Sequence, residues 1–198
     1  MEKIKAYLQK AQSAISQISP KNIDQFLEIL WKAYLNERTI FIFGNGGSAA
    51  NASHFAQDLT KGTVDFQTNT KRFRVIGLVD NVASITALAN DIGYDAVFEQ
   101  QLIGLAKPDD IAIAVSCSGN SPNVVKAIKK AKEFNMTVVG FTDSRGGEVG
   151  KLSDCWIPAP TEEVCLAEAV HSVVMHLCVE YLKEKTSQMS ETMDSSKS

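Results

Sequence analysis

The sequence lacks the features that would place it in several large classes of protein. Its four cysteines, Cys117, Cys155, Cys165 and Cys178, are scattered and form no Cys-x-x-Cys pair. That argues against a zinc ribbon or a dithiol redox motif and reads as reduced thiols in the cytoplasm. Positive charge is not in excess: the formal net charge is -3, so no global basic field draws the chain to nucleic acid. The opening residues, Met1-Glu2-Lys3-Ile4-Lys5-Ala6-Tyr7, hold no apolar run. Neither a signal peptide nor a stretch long enough to span a bilayer is expected, and no membrane role. No internal repeat is visible. Histidine is scarce, with His54, His171 and His176 alone, so each can be weighed singly. What remains is 198 residues of ordinary apolar and charged content, enough for one globular domain with a real core.

Periodicity organises that length. Apolar residues at helical spacing (Ile4, Tyr7, Leu8, Ala11, Ile15, Ile18) predict a first helix, and Ser19-Pro20 with Asn22 marks its boundary. Phe26, Ile29, Leu30, Ala33 and Tyr34 predict a second. Both precede any strand, so residues 1–37 are expected as an N-terminal helical arm or hairpin. Short, almost wholly apolar runs then recur at 39–43, 73–79, 111–115 and 137–141, with Cys155-Trp156-Ile157 as a fifth. Strands apolar on both faces fit a buried parallel sheet. Helical stretches at 82–89, 122–134 and 162–183 alternate with them. The fold class expected is α/β, a three-layer αβα sandwich on a five-stranded parallel sheet. A single domain over 1–185 would be followed by a disordered tail at 186–198, rich in Ser, Thr and Met.

Two loops suit phosphate. Gly44-Asn45-Gly46-Gly47-Ser48-Ala49 joins a strand to a helix. Its glycines permit a sharp turn and close approach, and helix N-terminal amides face an anion there. The same residues match the dinucleotide pattern G-x-G-x-x-A, but the acidic Asp80 lies much farther along than that motif requires. A tight turn without a ligand is the plainer alternative. The second loop is Ser116-Cys117-Ser118-Gly119-Asn120-Ser121-Pro122. Ser121 reads as an N-cap and Pro122 as the first helical position. Capping leaves Ser116 and Ser118 unexplained, and several hydroxyls in one loop fit a terminal phosphate monoester. In a flavodoxin-like strand order 2-1-3-4-5, the loops after strands one and three flank one crevice.

These residues, together with His54-Phe55-Ala56, Ala89-Asn90-Asp91-Ile92-Gly93-Tyr94 and the continuation Asn123-Val124, resemble the sugar isomerase (SIS) domain family and within it the phosphoheptose isomerases, over residues 3 to 183. The resemblance implies an aldose-ketose isomerase acting on sedoheptulose 7-phosphate, a homotetramer joined through N- and C-terminal helices, and bound zinc. It implies substrate contacts at Asn45, Gly46, Gly47 and Ser48, sugar contacts at Asn90 and Asp91, and a phosphate site at Ser116, Cys117, Ser118 and Ser121. It makes His54, Asp58, Glu168 and His176 metal ligands, with Glu168 also against substrate and Asp58 and His176 catalytic. Two positions depart from the family pattern. Asp58 stands where the family has glutamate, one methylene shorter, and Glu168 where it has glutamine, adding a charge.

Such a reaction needs a base near C1 and C2, an acid for the oxygens, and stabilisation of the oxyanion. His54 and Asp58, four apart on one helical stretch, share a face and suit zinc or a plain surface pair. Glu168 and His171 also share a face, whereas His171 and His176 diverge by roughly 140°, so one of them faces a given site. The resemblance favours His176 and leaves His171 to support or packing. Cys117 reads as a small buried residue rather than a nucleophile. Lys61 reads as solvated. Competing functions are a non-catalytic SIS protein that binds a replication-initiator partner, a sensor or isomerase of another sugar phosphate, and, more distantly, a dinucleotide oxidoreductase. His54, Asp58 and His176 favour the enzyme, since a protein-binding module has no chemical need of them.

Overall fold

A computed structural model describes residues 1–64 and 71–195, with side chains placed to residue 190. The apolar runs are strands β1 (Thr39–Gly44), β2 (Arg74–Gly77), β3 (Ile111–Val115), β4 (Thr137–Thr142) and β5 (Cys155–Pro158). All are paired in parallel, in the order β2-β1-β3-β4-β5. Successive residues of a strand point to opposite faces. In β1, Ile40 and Ile42 enter one core while Phe41 and Phe43 enter the other, and none of the four is exposed. A strand buried on both faces needs helices on both faces.

The helices supply them. On one face lie α2 (Pro20–Leu35), α3 (Gly47–Lys61) and α8 (Val164–Ser195), which contribute Phe26, Leu30, Phe55, Leu59, Cys178 and Leu182 to a core over Ile113 and Phe141. On the other lie α5 (Val97–Leu105), α6 (Pro122–Glu133) and α7 (Gly147–Leu152), with α4 (Val82–Asp91) partly buried beside them. The three-layer αβα architecture follows. The helix α1 (Glu2–Ser16) buries only Ala14 and lies along α8, tied by Lys10 to Glu163 at 2.6 Å.

Four features differ from the sequence expectations. The N-terminal arm divides: α1 is peripheral, but α2 is a full member of one layer, because Phe26 meets Phe141 edge-on with ring centroids 5.3 Å apart. Helix α5 had no sequence-based counterpart. The expected disordered tail is helical to Ser195, with residues 196–198 outside the described set. Its cause is tertiary: the buried Thr186 hydroxyl donates to the Thr63 carbonyl, and Met189 packs on the core. Finally, α8 is long and apolar enough to cross a bilayer by composition alone, against the expectation that no stretch is. Here its Val174, Met175, Cys178 and Leu182 are buried in the domain core.

Candidate active site

The strand order changes direction between β1 and β3. The chain leaves β1 for α3 on one face and leaves β3 for α6 on the other, so the two loops open a crevice at the carboxyl edge of the sheet. The first loop must hug its neighbour: a Cβ on Gly44 would stand 2.6 Å from the Val115 carbonyl oxygen. The serine loop is braced from behind. Gly119 has φ +65°, and a Cβ there would lie 2.1 Å from the Gly146 carbonyl oxygen. Backbone bonds from Asp143 N to Cys117 O (2.8 Å) and from Val149 N to Gly119 O (2.9 Å) complete the brace.

Between the loops lies a cavity of about 220 Å³, lined by Asn45, Ser48, Ser116, Ser118, Ser121 and Glu168. Ser121 stands at the N-cap of α6 but makes no capping bond. Its hydroxyl instead lies 3.2 Å from that of Ser116, so the expected cap is spent on the cavity. The Ser118 hydroxyl accepts from the Asn120 amide at 3.3 Å. Asn45 is clamped: its side-chain amide and that of Asn123 exchange bonds of 2.8 and 2.9 Å, and the Tyr94 hydroxyl donates to it at 2.9 Å. The Cys117 thiol, 3.8 Å from the Ser48 hydroxyl, is pushed up chiefly by burial, despite that Ser48 contact, with the charges of Glu168 and Asp143 adding to the rise. A thiol held protonated is no nucleophile.

A second group of side chains lies farther along. Asp58 Oδ2 is 3.3 Å from His54 Nε2 and 3.6 Å from His176 Nε2, and the two imidazoles meet edge-on at 5.0 Å. The donor atoms of the three residues all lie within 4.8 Å of one another. Helical spacing brings Asp58 to His54, and the packing of α3 on α8 brings His176. The shorter arm of Asp58 still reaches both rings. Helices α3 and α8 run in the same sense: Gly47 abuts Glu168, Asn51 Nδ2 donates to the Glu168 carbonyl at 2.9 Å, and Asp58 meets His176. The trio is therefore about two turns beyond the cavity along both helices, on the order of 10–12 Å at 1.5 Å per residue.

Not every expected residue converges. Glu168 stands in the cavity rather than in the trio, because it precedes His176 by two turns of α8 and its carboxylate lies against Gly47. Asn90 and Asp91 end α4, exposed, with Asn90 Nδ2 bonded to Asp91 Oδ1 at 2.8 Å, and neither lines the cavity. His171 is wholly buried, its Nε2 2.9 Å from the Thr142 carbonyl. Sequence reasoning missed the clamp on Asn45. Tyr94 and Asn123 stood inside the quoted motifs, but nothing in their spacing shows that they reach Asn45. The glycine-rich turn and short helix after the fourth strand were legible, but not that Gly146 and Gly147 lie against Gly119 behind the serine loop.

Fold and site together define a doubly wound α/β domain with a serine-lined cavity at its switch point and a His-Asp-His cluster beside it. Residues 6–143 match the model of the SIS domain. The chain is 34% identical over 181 residues to a probable phosphoheptose isomerase of Thermoplasma acidophilum, covering 91% of this chain and 98% of that protein. The solved phosphoheptose isomerase GmhA of Neisseria gonorrhoeae is 28% identical, with a TM-score of 0.84 over 92% of this chain and 98% of its own. A phosphoheptose isomerase from Francisella tularensis has a TM-score of 0.85 at 25% identity, over 92% and 97% of the two chains. The chain belongs to the SIS domain family.

Proposed function

We propose that the protein is an aldose-ketose isomerase that converts sedoheptulose 7-phosphate to D-glycero-D-manno-heptose 7-phosphate. The observation that carries this is the pairing, along two adjacent helices, of a serine-lined cavity with the trio His54, Asp58 and His176 about two turns away. An extended seven-carbon chain with its phosphate in the cavity reaches the trio with its C1–C2 end, and a triose phosphate does not. The names of the similar proteins support the same substrate.

Asn45, Gly46, Gly47 and Ser48 hold the substrate at the head of α3, where backbone amides favour an anion, and Ser116, Cys117, Ser118 and Ser121 surround the phosphate. Asn90 and Asp91, exposed on the same edge, are the groups left to meet sugar hydroxyls. Asp58 takes the proton from C1 of the ketose and returns it to C2. His176 gives a proton to O2 and receives the one from O1, so the enediol forms and collapses with no net change in atoms. His54 fixes Asp58 by the 3.3 Å contact. Two imidazoles and a carboxylate are a donor set that zinc accepts, with positions left open for substrate. His54, Asp58 and His176 would hold it, with Glu168 a further oxygen donor only after a change of rotamer. Bound there, it would polarise the carbonyl oxygen as a Lewis acid.

The assembly we propose is a homotetramer. Ile4, Leu8 and Ile15 of α1 and Val173, Leu177 and Tyr181 of α8 are exposed apolar residues at helical spacing, and such stripes mark protein contacts. The four free cysteines fit the cytoplasm, and the partner is a small sugar phosphate. Isomerisation run in deuterated water tests the proton transfer. Deuterium bound to C2 of the aldose product supports it. Product formed without deuterium, at a rate that Asp58→Asn leaves unchanged, would point to a hydride shift and remove Asp58 from its role.

A further inference from the structure

The oxyanion proposed for the cavity between the loops meets no cationic side chain among the described residues that line it. Neutral donors must hold it. A serine hydroxyl both donates and accepts, whereas a primary amide turned end for end exchanges donor for acceptor. The orientation of Asn45, which lines the cavity, therefore decides what it offers a ligand. That orientation follows from its partners. The Val124 N–H can only donate, so the Asn123 atom that it meets at 2.9 Å is Oδ1. The Asn45 atom 2.8 Å from that oxygen is then Nδ2, and Asn123 Nδ2 donates in return to Asn45 Oδ1 at 2.9 Å. Tyr94 agrees with this assignment: its hydroxyl donates to the same Oδ1 at 2.9 Å.

An amide oxygen has two lone pairs, and on Asn45 both are taken. One polar hydrogen on Nδ2 is left, so the side chain can only donate to a ligand. Asn123 has a further duty, since it is 2% exposed and its Oδ1 also holds an amide in the first turn of α6. Tyr94 has none of that kind. Its ring is 56% exposed and belongs to neither sheet-face core, so packing does not account for it, and its hydroxyl reaches Asn45 across 49 residues of sequence. We infer that Tyr94 is a positioning residue, which together with Asn123 fixes the Asn45 amide as a hydrogen-bond donor to the oxyanion in the cavity. Bonds accepted by the amide oxygen also strengthen its N–H as a donor, because linked hydrogen bonds polarise one another. The inference rests on the proposed reading of the cavity as the phosphate end of the site.

Inorganic phosphate is the probe, because its binding needs no turnover. The full-length chain is titrated by calorimetry as wild type, Tyr94→Phe, Asn45→Ala, the two combined, and Ser121→Ala, with the melting temperature of each measured beside it. Tyr94→Phe deletes one exposed hydroxyl. It is expected to leave the melting temperature unchanged and to weaken phosphate binding about 3–10-fold, the net worth of one hydrogen bond. Asn45→Ala should weaken binding at least as much. Added to Asn45→Ala, Tyr94→Phe is expected to cost nothing further, since a residue that acts through another loses its effect once that other is gone. Asn45→Ser closes the same cycle should the alanine variant not fold. Unchanged affinity in Tyr94→Phe overturns the inference and leaves the phosphate cavity standing. An equal loss with and without Asn45 does the same, for the hydroxyl would then not act through the amide. Failure of phosphate to bind at all, or binding indifferent to Ser121→Ala, overturns the cavity assignment and the inference with it.

Discussion

His171 and His176 lie five residues apart on α8 and do different work. His176 is exposed against Asp58, while His171 is buried against Phe141 and Thr142, with Nδ1 lacking a partner among the described residues. Burial lowers the His171 pKa to about 4, so the ring is neutral at physiological pH and Nε2–H donates to the Thr142 carbonyl. A histidine whose folded pKa lies below its unfolded value of about 6.5 leaves the unfolded chain binding more protons between those values. Stability contributed by neutral His171 is thus complete above about pH 6.5 and is lost as pH falls towards 4. The loss is on the order of 3 kcal/mol for a group this buried. Denaturant unfolding from pH 7 to 4 should show a steeper decline for the native chain than for His171→Gln, which keeps a donor and has no proton to gain. Parallel declines would mean that His171 is not buried as described. The sequence showed that the two histidines diverge round the helix. Which of them turned inward depended on Phe141 and Thr142, thirty residues away in the chain, and could not be read from spacing.

At the scale of the element, the serine loop is shaped by a neighbour rather than by its own sequence. Gly119 and Gly147 face each other backbone to backbone, both at positive φ. Gly119→Ala adds a left-handed residue and a clash with a carbonyl, and is expected to destabilise the domain by about 2–4 kcal/mol. Phosphate affinity should fall with it. An alanine variant of unchanged melting temperature and affinity would show that the brace is not needed. Most elements were legible because burial on both sheet faces writes itself as unbroken apolar runs, and β3 begins and ends where its apolar run does. Helix α5 was not, since Val97, Phe98 and Leu102 are too few to set a period apart from the apolar residues around them. The end of α8 was lost for a related reason: Ser and Thr composition argues for a tail, and the contacts of Thr186 with Thr63 and of Met189 with the core override it.

At the scale of the molecule, the two glycine- and serine-rich loops and the trio were legible as motifs, and the convergence of the loops followed from the strand order. The position of Glu168 in the cavity was not, because two turns of helix separate it from His176 and the resemblance joined them. The apolar stripes of α1 and α8 carry the assembly, so Leu8→Glu with Leu177→Glu is expected to convert a tetramer to smaller species in light scattering. A monomeric native chain would remove that proposal without touching the site. Turnover of sedoheptulose 7-phosphate is the direct test of the isomerase. The metal-stripped chain is assayed with and without added zinc, beside Asp58→Asn and His176→Ala. Heptose 7-phosphate should form with the native chain, and each substitution should cost about 10²–10⁴-fold in rate, the usual worth of a general acid or base. A folded native chain that yields no heptose phosphate under either metal condition, or substitutions that leave its rate intact, would contradict the account.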